Sequence, residues 1–472
     1  MMRLSELLSV LDAQLIGEDI EFTSVGTDSR SIEQGQLFVA ITGEIFDGNQ
    51  YAVQALAQGA AAVLVSDNTV TLNVKSGLLV KDTRLALGQL ASYWRQKFTL
   101  PLIAITGSNG KTTVKEMTAA ILGAATANAG AVLTTKGNFN NDIGMPLTLL
   151  KLNANHQFAV IEMGMNHTGE LDYLTRLAMP DIALVNNAGT AHIGELGSQE
   201  AIAAAKGEIF AGLNEAGIAI INADDAYADY WASSIKCLNK GIKVVTFGLT
   251  NTAGISASSV EQNGMVQINL KTPAGNVTFD LNVLGAHNVR NALAASAVAY
   301  ALNISLSHVA KGLTEFSGVS GRLTRRAGIN GALVIDDTYN ANPDSMRVAI
   351  DVLVAQAGRT VMVMGDMGEL GDDAVKLHAE IGAYAKKSGV QFFYTLGDMS
   401  LEANKAYGQD VNKAQAKNFN SVEALVEALK PVINEQTIVL VKGSRFMKME
   451  RVVNLITQEK MLFNQKQSVE VH

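Results

Sequence analysis

A single cysteine in 472 residues, Cys237, has no partner for an internal disulfide, so the chain reads as suited to a reducing compartment. Charged residues make up only 17% against 48% apolar, which excludes disorder and requires sizeable cores. A formal charge of −8 and the lack of any basic run argue against a nucleic-acid binder. No apolar run reaches the roughly 18 residues of a membrane span, and the alanine-rich stretch 292–302 reads as a packed helix. Met1 to Asp12 carries an amphipathic-helix pattern with no cationic lead into an apolar stretch, so no secretion signal is expected. The expectation is a soluble, cytoplasmic monomer.

What is present is α/β alternation, and it predicts three domains. Residues 1–83 read as a small α/β N-terminal domain, with strands at 35–41 and 61–65 around a helix at 51–58. Over 84–318, strand-like runs at 101–106, 158–163, 181–186, 217–222 and 243–247 alternate with helical segments near 111–122, 168–178 and 199–211. That pattern predicts a central parallel sheet with helices on both faces. An antiparallel insert over 255–283, with strands at 264–270 and 277–283, and a long helix at 288–302 complete it. Over 319–472 the alternation restarts, with strands at 332–337, 360–364, 391–396 and 437–441 and helices at 343–355, 373–387 and 421–429. This fits a smaller, Rossmann-like C-terminal domain.

The most informative stretch is Pro101-Leu-Ile-Ala-Ile-Thr-Gly-Ser-Asn-Gly-Lys-Thr-Thr113. An apolar strand, a glycine-bracketed turn and a helix start together make a phosphate cradle. Backbone N–H groups and the helix dipole face an anion, Lys111 adds charge, and the Thr112 hydroxyl can reach a magnesium ion. The first glycine of the full P-loop pattern is missing, since Ile105 stands there.

Other polar groups gather at strand ends. Phe158-Ala-Val-Ile-Glu162 ends in a carboxylate at the sheet edge where the phosphate loop opens, a hard oxygen ligand for magnesium or simply a solvated acid. The next strand runs into a glycine-rich loop carrying His192, and the helix after it carries Lys206. A lysine of depressed pKa can take up carbon dioxide as a carbamate, a carboxylate-like ligand; the default is a solvated lysine. Asn138, Asn140 and Asn141 form turns or bind a second ligand, and Thr27-Asp28-Ser29-Arg30 and Phe46-Asp47-Gly48 share that ambiguity. Asp336 or Asp337 suits a ribose hydroxyl or a metal-bound water, and Asn288 and Asn291 either cap a helix or reach an adenine edge.

In this order, and over essentially the whole chain, these segments resemble the Mur ligase family of ATP-dependent amide-bond-forming enzymes. The resemblance rests on Thr-Gly-Ser-Asn-Gly-Lys-Thr-Thr, Gly-Asn-Phe-Asn-Asn-Asp-Ile-Gly, Glu-Met-Gly, Asn-Ala-Gly-Thr-Ala-His, Ala-Lys-Gly-Glu, Gly-Ala-His-Asn-Val-Arg-Asn-Ala, Gly-Arg322 and Asp-Asp-Thr-Tyr-Asn-Ala-Asn-Pro. The family's own phosphate loop is this shorter form. Within the family, the Asp-Asp-Thr-Tyr-Asn-Ala-Asn-Pro-Asp-Ser-Met and Gly365-Asp-Met-Gly-Glu-Leu-Gly371 runs point to members that add D-alanyl-D-alanine to UDP-N-acetylmuramoyl-tripeptide in peptidoglycan precursor synthesis. The Asp-Asn-Pro-Arg motif expected of a diaminopimelate-adding member is absent from the sequence.

The resemblance implies ATP and Mg2+, with Lys111, Glu162, His192 and Lys206 as the catalytic set. Gly107, Asn109, Gly110, Lys111 and Thr112, with Thr113 beside them, would hold the phosphates. Thr112 and Glu162 would bind one magnesium, and His192 and carbamylated Lys206 a second. Asn288, Asn291, Arg322, Asp336 and Tyr339 would line the adenosine side. Thr27, Asp28, Ser29, Arg30, Phe46, Asp47 and Gly48 would hold uridine diphosphate, and Asn138, Asn140 and Asn141 would face sugar and peptide. The dipeptide would sit near Asn342 and the Lys442–Arg445 turn. Two other readings stay open: a family member adding a single amino acid, and a P-loop switch ATPase whose outer domains bind partners. Intact Lys111, Glu162 and His192 weigh against a silent UDP-sugar binder.

Overall fold

The strand Leu102–Thr106 is apolar at every position but its last, and it folds in the interior of a sheet covered on both faces. Leu102 and Ala104 belong to one core cluster, Ile103 and Ile105 to another, as the two-residue period of a strand requires. The computed structural model describes residues 1–43, 45–238, 241–262, 265–283, 285–408 and 415–457. Gly264, where one expected strand begins, and residues 458–472 of the last expected domain lie outside them.

Among the described residues the central sheet runs Gly275–Leu281, Met265–Thr272, Ile255–Gln262, Lys243–Gly248, Ile218–Asn222, Ile182–Val185, Leu102–Thr106, Phe158–Glu162, Val132–Thr134. The first three form the expected antiparallel insert, and every other pairing is parallel. Parallel register aligns Glu162 with Ile105 and Val185 with Thr106, so the polar ends of three strands share one edge. The helices Lys111–Thr126, Glu170–Ala178 and Gln199–Gly207 follow those strands, and Ala286–Ala301 is buried along most of its length.

The N-terminal sheet runs Gln14–Gly17, Ser76–Leu79, Ala62–Val65, Gln36–Val39, Ser24–Gly26 and is parallel except at its first pair. Met1 to Asp12 corrects the sequence reading. In place of an amphipathic helix, Met2–Arg3 pairs with Glu21–Phe22, and a single 3-10 turn, Leu4–Leu7, follows. Asp19 explains the change: its carboxylate accepts from Ser5 N–H and Arg3 Nε, pinning the chain before a longer helix can start. Leu4, Leu7 and Leu11 are buried all the same.

Helix Thr83–Arg95 begins where the first boundary was expected. Its Ala86, Leu87 and Leu90 share a core cluster with Leu37 and Leu64 of the N-terminal sheet and Leu102 of the central one. The last unit has the strand order Thr324–Ala327, Leu333–Asp337, Thr437–Lys442, Arg359–Gly365, Phe392–Leu396, Ala416–Phe419, parallel except at its first pair. Among the described residues no helix is long and apolar enough to cross a membrane.

Candidate active site

The turn after Leu102–Thr106 is fixed by asparagines of the neighbouring strand. Ser108 N–H donates to the Asn187 carbonyl at 3.0 Å, and Asn109 N–H donates to Asn187 Oδ1 at 2.8 Å. Asn187 Nδ2 and Asn186 Nδ2 return hydrogen bonds to the Asn109 carbonyl at 3.0 and 2.9 Å. Gly110 caps the helix at φ 81°, and a Cβ there would lie 2.5 Å from Asn291 Oδ1, so only glycine fits. With Ser108 and Asn109 N–H engaged, the N–H groups of Gly110, Lys111, Thr112 and Thr113 have no acceptor among the described residues. Free N–H groups at a helix start are the arrangement that suits an anion.

Lys111 is tied to the Gly107 carbonyl by its Nζ at 2.6 Å. Burial pushes its ammonium below the usual lysine range and nearby Arg322 adds to the effect, against Glu162 and Glu369. A cation held this way is stabilised by an incoming polyanion. Thr112 donates to Glu162 Oε2 at 2.8 Å and accepts from Arg322 Nη2 at 2.9 Å, while Asn140 Nδ2 donates to Glu162 Oε1 at 2.9 Å. Arg322 also lies over the Tyr339 ring, 4.2 Å from its centroid.

This cluster forms one wall of a cavity of about 1410 Å³. Of the anticipated residues, Asn109, Gly110, Lys111, Thr113, Glu162 and His192 line it. So do Asn138, Asn140, Asn141, Asn288, Asn291, Arg322, Asp336, Tyr339 and Asn342. Gly107, Thr112 and Lys206 are not on its lining. Lys206 is buried, and its amine makes no hydrogen bond or ion pair among the described residues. Desolvation, with Lys111 nearby, holds it well below the usual lysine range.

Several anticipated residues are already engaged. Asp336 accepts from Thr338 Oγ1 at 2.6 Å and pairs with Arg326 at 3.0 Å. Asn291 Nδ2 donates to Asn288 Oδ1 at 3.1 Å, with both buried. Asn342 caps the helix Pro343–Val354 through its Oδ1 and donates from Nδ2 to Asn109 Oδ1 at 2.9 Å.

Thr27, Asp28, Ser29, Arg30, Phe46, Asp47 and Gly48 do not line the cavity. Arg30 is exposed and grips Asp28 with two bonds of 2.9 and 2.8 Å, holding that carboxyl at about 2. Phe46 is half-exposed and stacks on Tyr51 at 5.2 Å. Asp47 accepts from Asn49 N–H at 3.0 Å, which shapes the turn that contains Gly48.

Sequence reasoning gave no role to four residues that the structure brings to the site. Asn186 and Asn187 clamp the phosphate loop; Asp344 accepts from Thr190 N–H and Oγ1 at 2.7 and 2.8 Å; Glu369 lies 2.9 Å from His192. The paired amides closing a strand beside the loop were the available signal for the first two. The others lie in the Asn-Pro-Asp-Ser-Met and Gly365–Gly371 runs, but nothing local says what either side chain would face.

Three family profiles match the chain: Mur ligase family, catalytic domain, over residues 21–95; Mur ligase middle domain, over 105–299; and Mur ligase, glutamate ligase domain, over 321–445. The UDP-N-acetylmuramoyl-tripeptide--D-alanyl-D-alanine ligase of Haemophilus influenzae is 42% identical over 456 residues, spanning 95% of this chain and 96% of its own. A crystal structure of MurF from Acinetobacter baumannii superposes with a TM-score of 0.86 at 36% identity, covering 95% of this chain and 97% of that one. The MurF ligase from Thermotoga maritima in complex with ADP gives 0.80 at 26% identity, with 92% and 96% covered.

Proposed function

The chain belongs to the Mur ligase family, and from that premise we propose that it joins D-alanyl-D-alanine to UDP-N-acetylmuramoyl-tripeptide, driven by ATP, in peptidoglycan precursor synthesis. The observation that carries the reading is the shared cavity, with the phosphate loop on one wall and Asn342, Lys442 and Arg445 of the last unit on another. Triphosphate, peptide carboxylate and incoming amine can meet there away from bulk water.

A carboxylate is a poor electrophile, so it must first be activated. Its oxygen takes the γ-phosphoryl group and ADP leaves; the dipeptide amine then attacks the acyl carbon, loses a proton, and inorganic phosphate departs with the carboxylate oxygen. Two anions must approach each other in the first step. Lys111, Arg322 and the N–H groups of Gly110–Thr113 offset that repulsion. Thr112 and Glu162 would hold one Mg2+ and His192 with carbamylated Lys206 a second; when bound, the ions neutralise phosphate charge. The donors fit that role: Thr112 Oγ1 and Glu162 are buried hard-oxygen groups 2.8 Å apart. Among the described residues no three-residue His, Cys, Asp or Glu cluster could hold a metal alone, so phosphate oxygens would supply the remaining ligands. Lys206 suits carbamylation because burial favours its neutral amine, which adds to carbon dioxide with release of a proton.

In this scheme 1–83 takes uridine diphosphate through Thr27–Arg30 and Phe46–Gly48, 84–318 takes ATP, and 319–472 takes the dipeptide and closes over the centre. Asn138, Asn140 and Asn141 would face sugar and peptide, and Asn288, Asn291, Arg322, Asp336 and Tyr339 the adenosine. The enzyme would act as a cytoplasmic monomer. Oxygen labelling tests the scheme: one labelled oxygen from the tripeptide carboxylate should appear in each released phosphate, and phosphate carrying none would refute it. Lys206→Ala should abolish phosphate release, with partial rescue by small carboxylates; full activity in that variant would remove the carbamate from the scheme.

A further inference from the structure

The helix that follows the phosphate loop carries a second lysine, Lys115, fully buried, and the scheme above gives it no task. We infer that Lys115 is a positioning residue: it fixes Glu162 and the 135–141 segment against the helix that seats the phosphates. It thereby sets where the peptide carboxylate meets the γ-phosphoryl group. The inference rests on the proposed reading of the chain as a ligase that phosphorylates a peptide carboxylate.

Thr112 and Lys115 stand three residues apart on the helix Lys111–Thr126 and so share a face. Thr112 Oγ1 reaches Glu162 Oε2 at 2.8 Å, and Lys115 Nζ donates to the Thr135 carbonyl, just past the strand Val132–Thr134. Thr135 Oγ1 then accepts from Glu162 N–H at 2.9 Å. The bonds close a ring that runs from the helix through Lys115, Thr135, Glu162 and Thr112 back to the helix. All four residues are buried, Lys115 at 1% and Thr135 at 0% exposed.

Beyond Thr135 the chain stays stitched to this ring. Asn140 Nδ2 donates to Glu162 Oε1 at 2.9 Å, and the Asn140 carbonyl accepts from Gly164 N–H at 2.8 Å. The asparagines assigned above to sugar and peptide are thus held at a spacing from the phosphate helix that the lysine sets. A buried ammonium is a costly way to hold one carbonyl. Glu116 Oε1 lies 2.9 Å from Nζ and offsets part of that cost, but its side chain is 39% exposed and screened by solvent. An apolar side chain would fill the same space at no such cost. What the lysine adds is reach and a directed donor.

The test uses single turnovers of the full chain, with enzyme in excess over labelled ATP, Mg2+ present, and both other substrates saturating. ADP formation in the wild type should require UDP-N-acetylmuramoyl-tripeptide. Lys115→Met should form ADP about 10- to 100-fold more slowly, while its affinity for a non-hydrolysable ATP analogue stays within about twofold, because Lys111 and the helix start are untouched. Thr135→Val cuts the ring at Glu162 and should behave the same way; Thr135→Ser keeps the hydroxyl and should match the wild type. Because both residues act through one ring, the double variant Lys115→Met/Thr135→Val should be no slower than the slower single. Wild-type rates in Thr135→Val, losses that multiply in the double variant, or analogue affinity falling in step with the rate would each overturn the proposal. If Lys115→Met does not fold, the two Thr135 variants decide alone. Failure of the underlying reading looks different: the wild type would then form ADP equally fast with and without the tripeptide substrate.

Discussion

Asn109 is held at its N–H, its carbonyl and its side-chain oxygen, each time by an uncharged amide. Neutral clamps shape the loop without adding charge that a triphosphate would have to overcome. Asn187→Ala removes two of these bonds, so KM for ATP should rise by about tenfold or more, at roughly 1 kcal/mol per bond. Asn187→Asp keeps the acceptor but sets a negative charge beside the phosphates, and steady-state kinetics should show it to be worse than alanine. His287 gives a pH signature. Burial lowers its imidazole to about 4 from an ordinary 6.5, with Lys442 and Arg290 adding to the shift and Asp337 opposing it. Below about pH 6.5 the unfolded chain binds a proton that the folded one refuses until about pH 4. Stability from this group is therefore complete above that window and is lost on acidification through it. Urea midpoints measured across the window should show a shallower decline in His287→Gln. Lys111, Glu162 and His192 were legible in the sequence because Glu162 closes its strand, and Lys111 and His192 stand at the glycine-bearing turns that follow theirs. Asp344 and Glu369 were not, because their partners Thr190 and His192 stand more than 150 residues away along the chain.

Elements were legible where burial makes a run continuously apolar. Ile182–Val185 and Thr437–Lys442 are buried at every position and stand out from their flanks. Val132–Thr134 has three residues, too few for a period, and Thr324–Ala327 is a polar edge strand, Thr-Arg-Arg-Ala. Helix Ala228–Cys237 escaped notice because only Trp231 and Ile235 are buried, one turn apart, in an otherwise polar segment. Its contribution is out of proportion to that signal. Trp231 is fully buried, and its Nε1 donates to the Ala203 carbonyl at 2.8 Å, on the helix that carries Lys206. Trp231→Ala should cost about 3–5 kcal/mol through the cavity it leaves. Calorimetry should show an earlier first transition, and activity should fall with it because the Lys206 helix loses its backing.

Across the whole molecule, the last unit touches the nucleotide wall at separate points: Asn342 on Asn109, Asp344 on Thr190, Glu369 on His192. These contacts are small and polar, as suits the surfaces that the proposed closure brings together and releases. Asp344→Ala removes both bonds to Thr190. Small-angle scattering should then give a larger radius of gyration without ligands, shrinking toward the wild-type value when the ATP analogue and tripeptide substrate are added.

Arg322 stands a few residues before Thr324–Ala327, where the chain passes from the central sheet into the last one, and it holds Thr112 while lying over Tyr339. In the scheme proposed above, the pivot of the closing lobe is thus fastened to the nucleotide's seat, so release of ADP and the swing of that lobe are a single event in it, and whatever slows either one sets the pace of turnover.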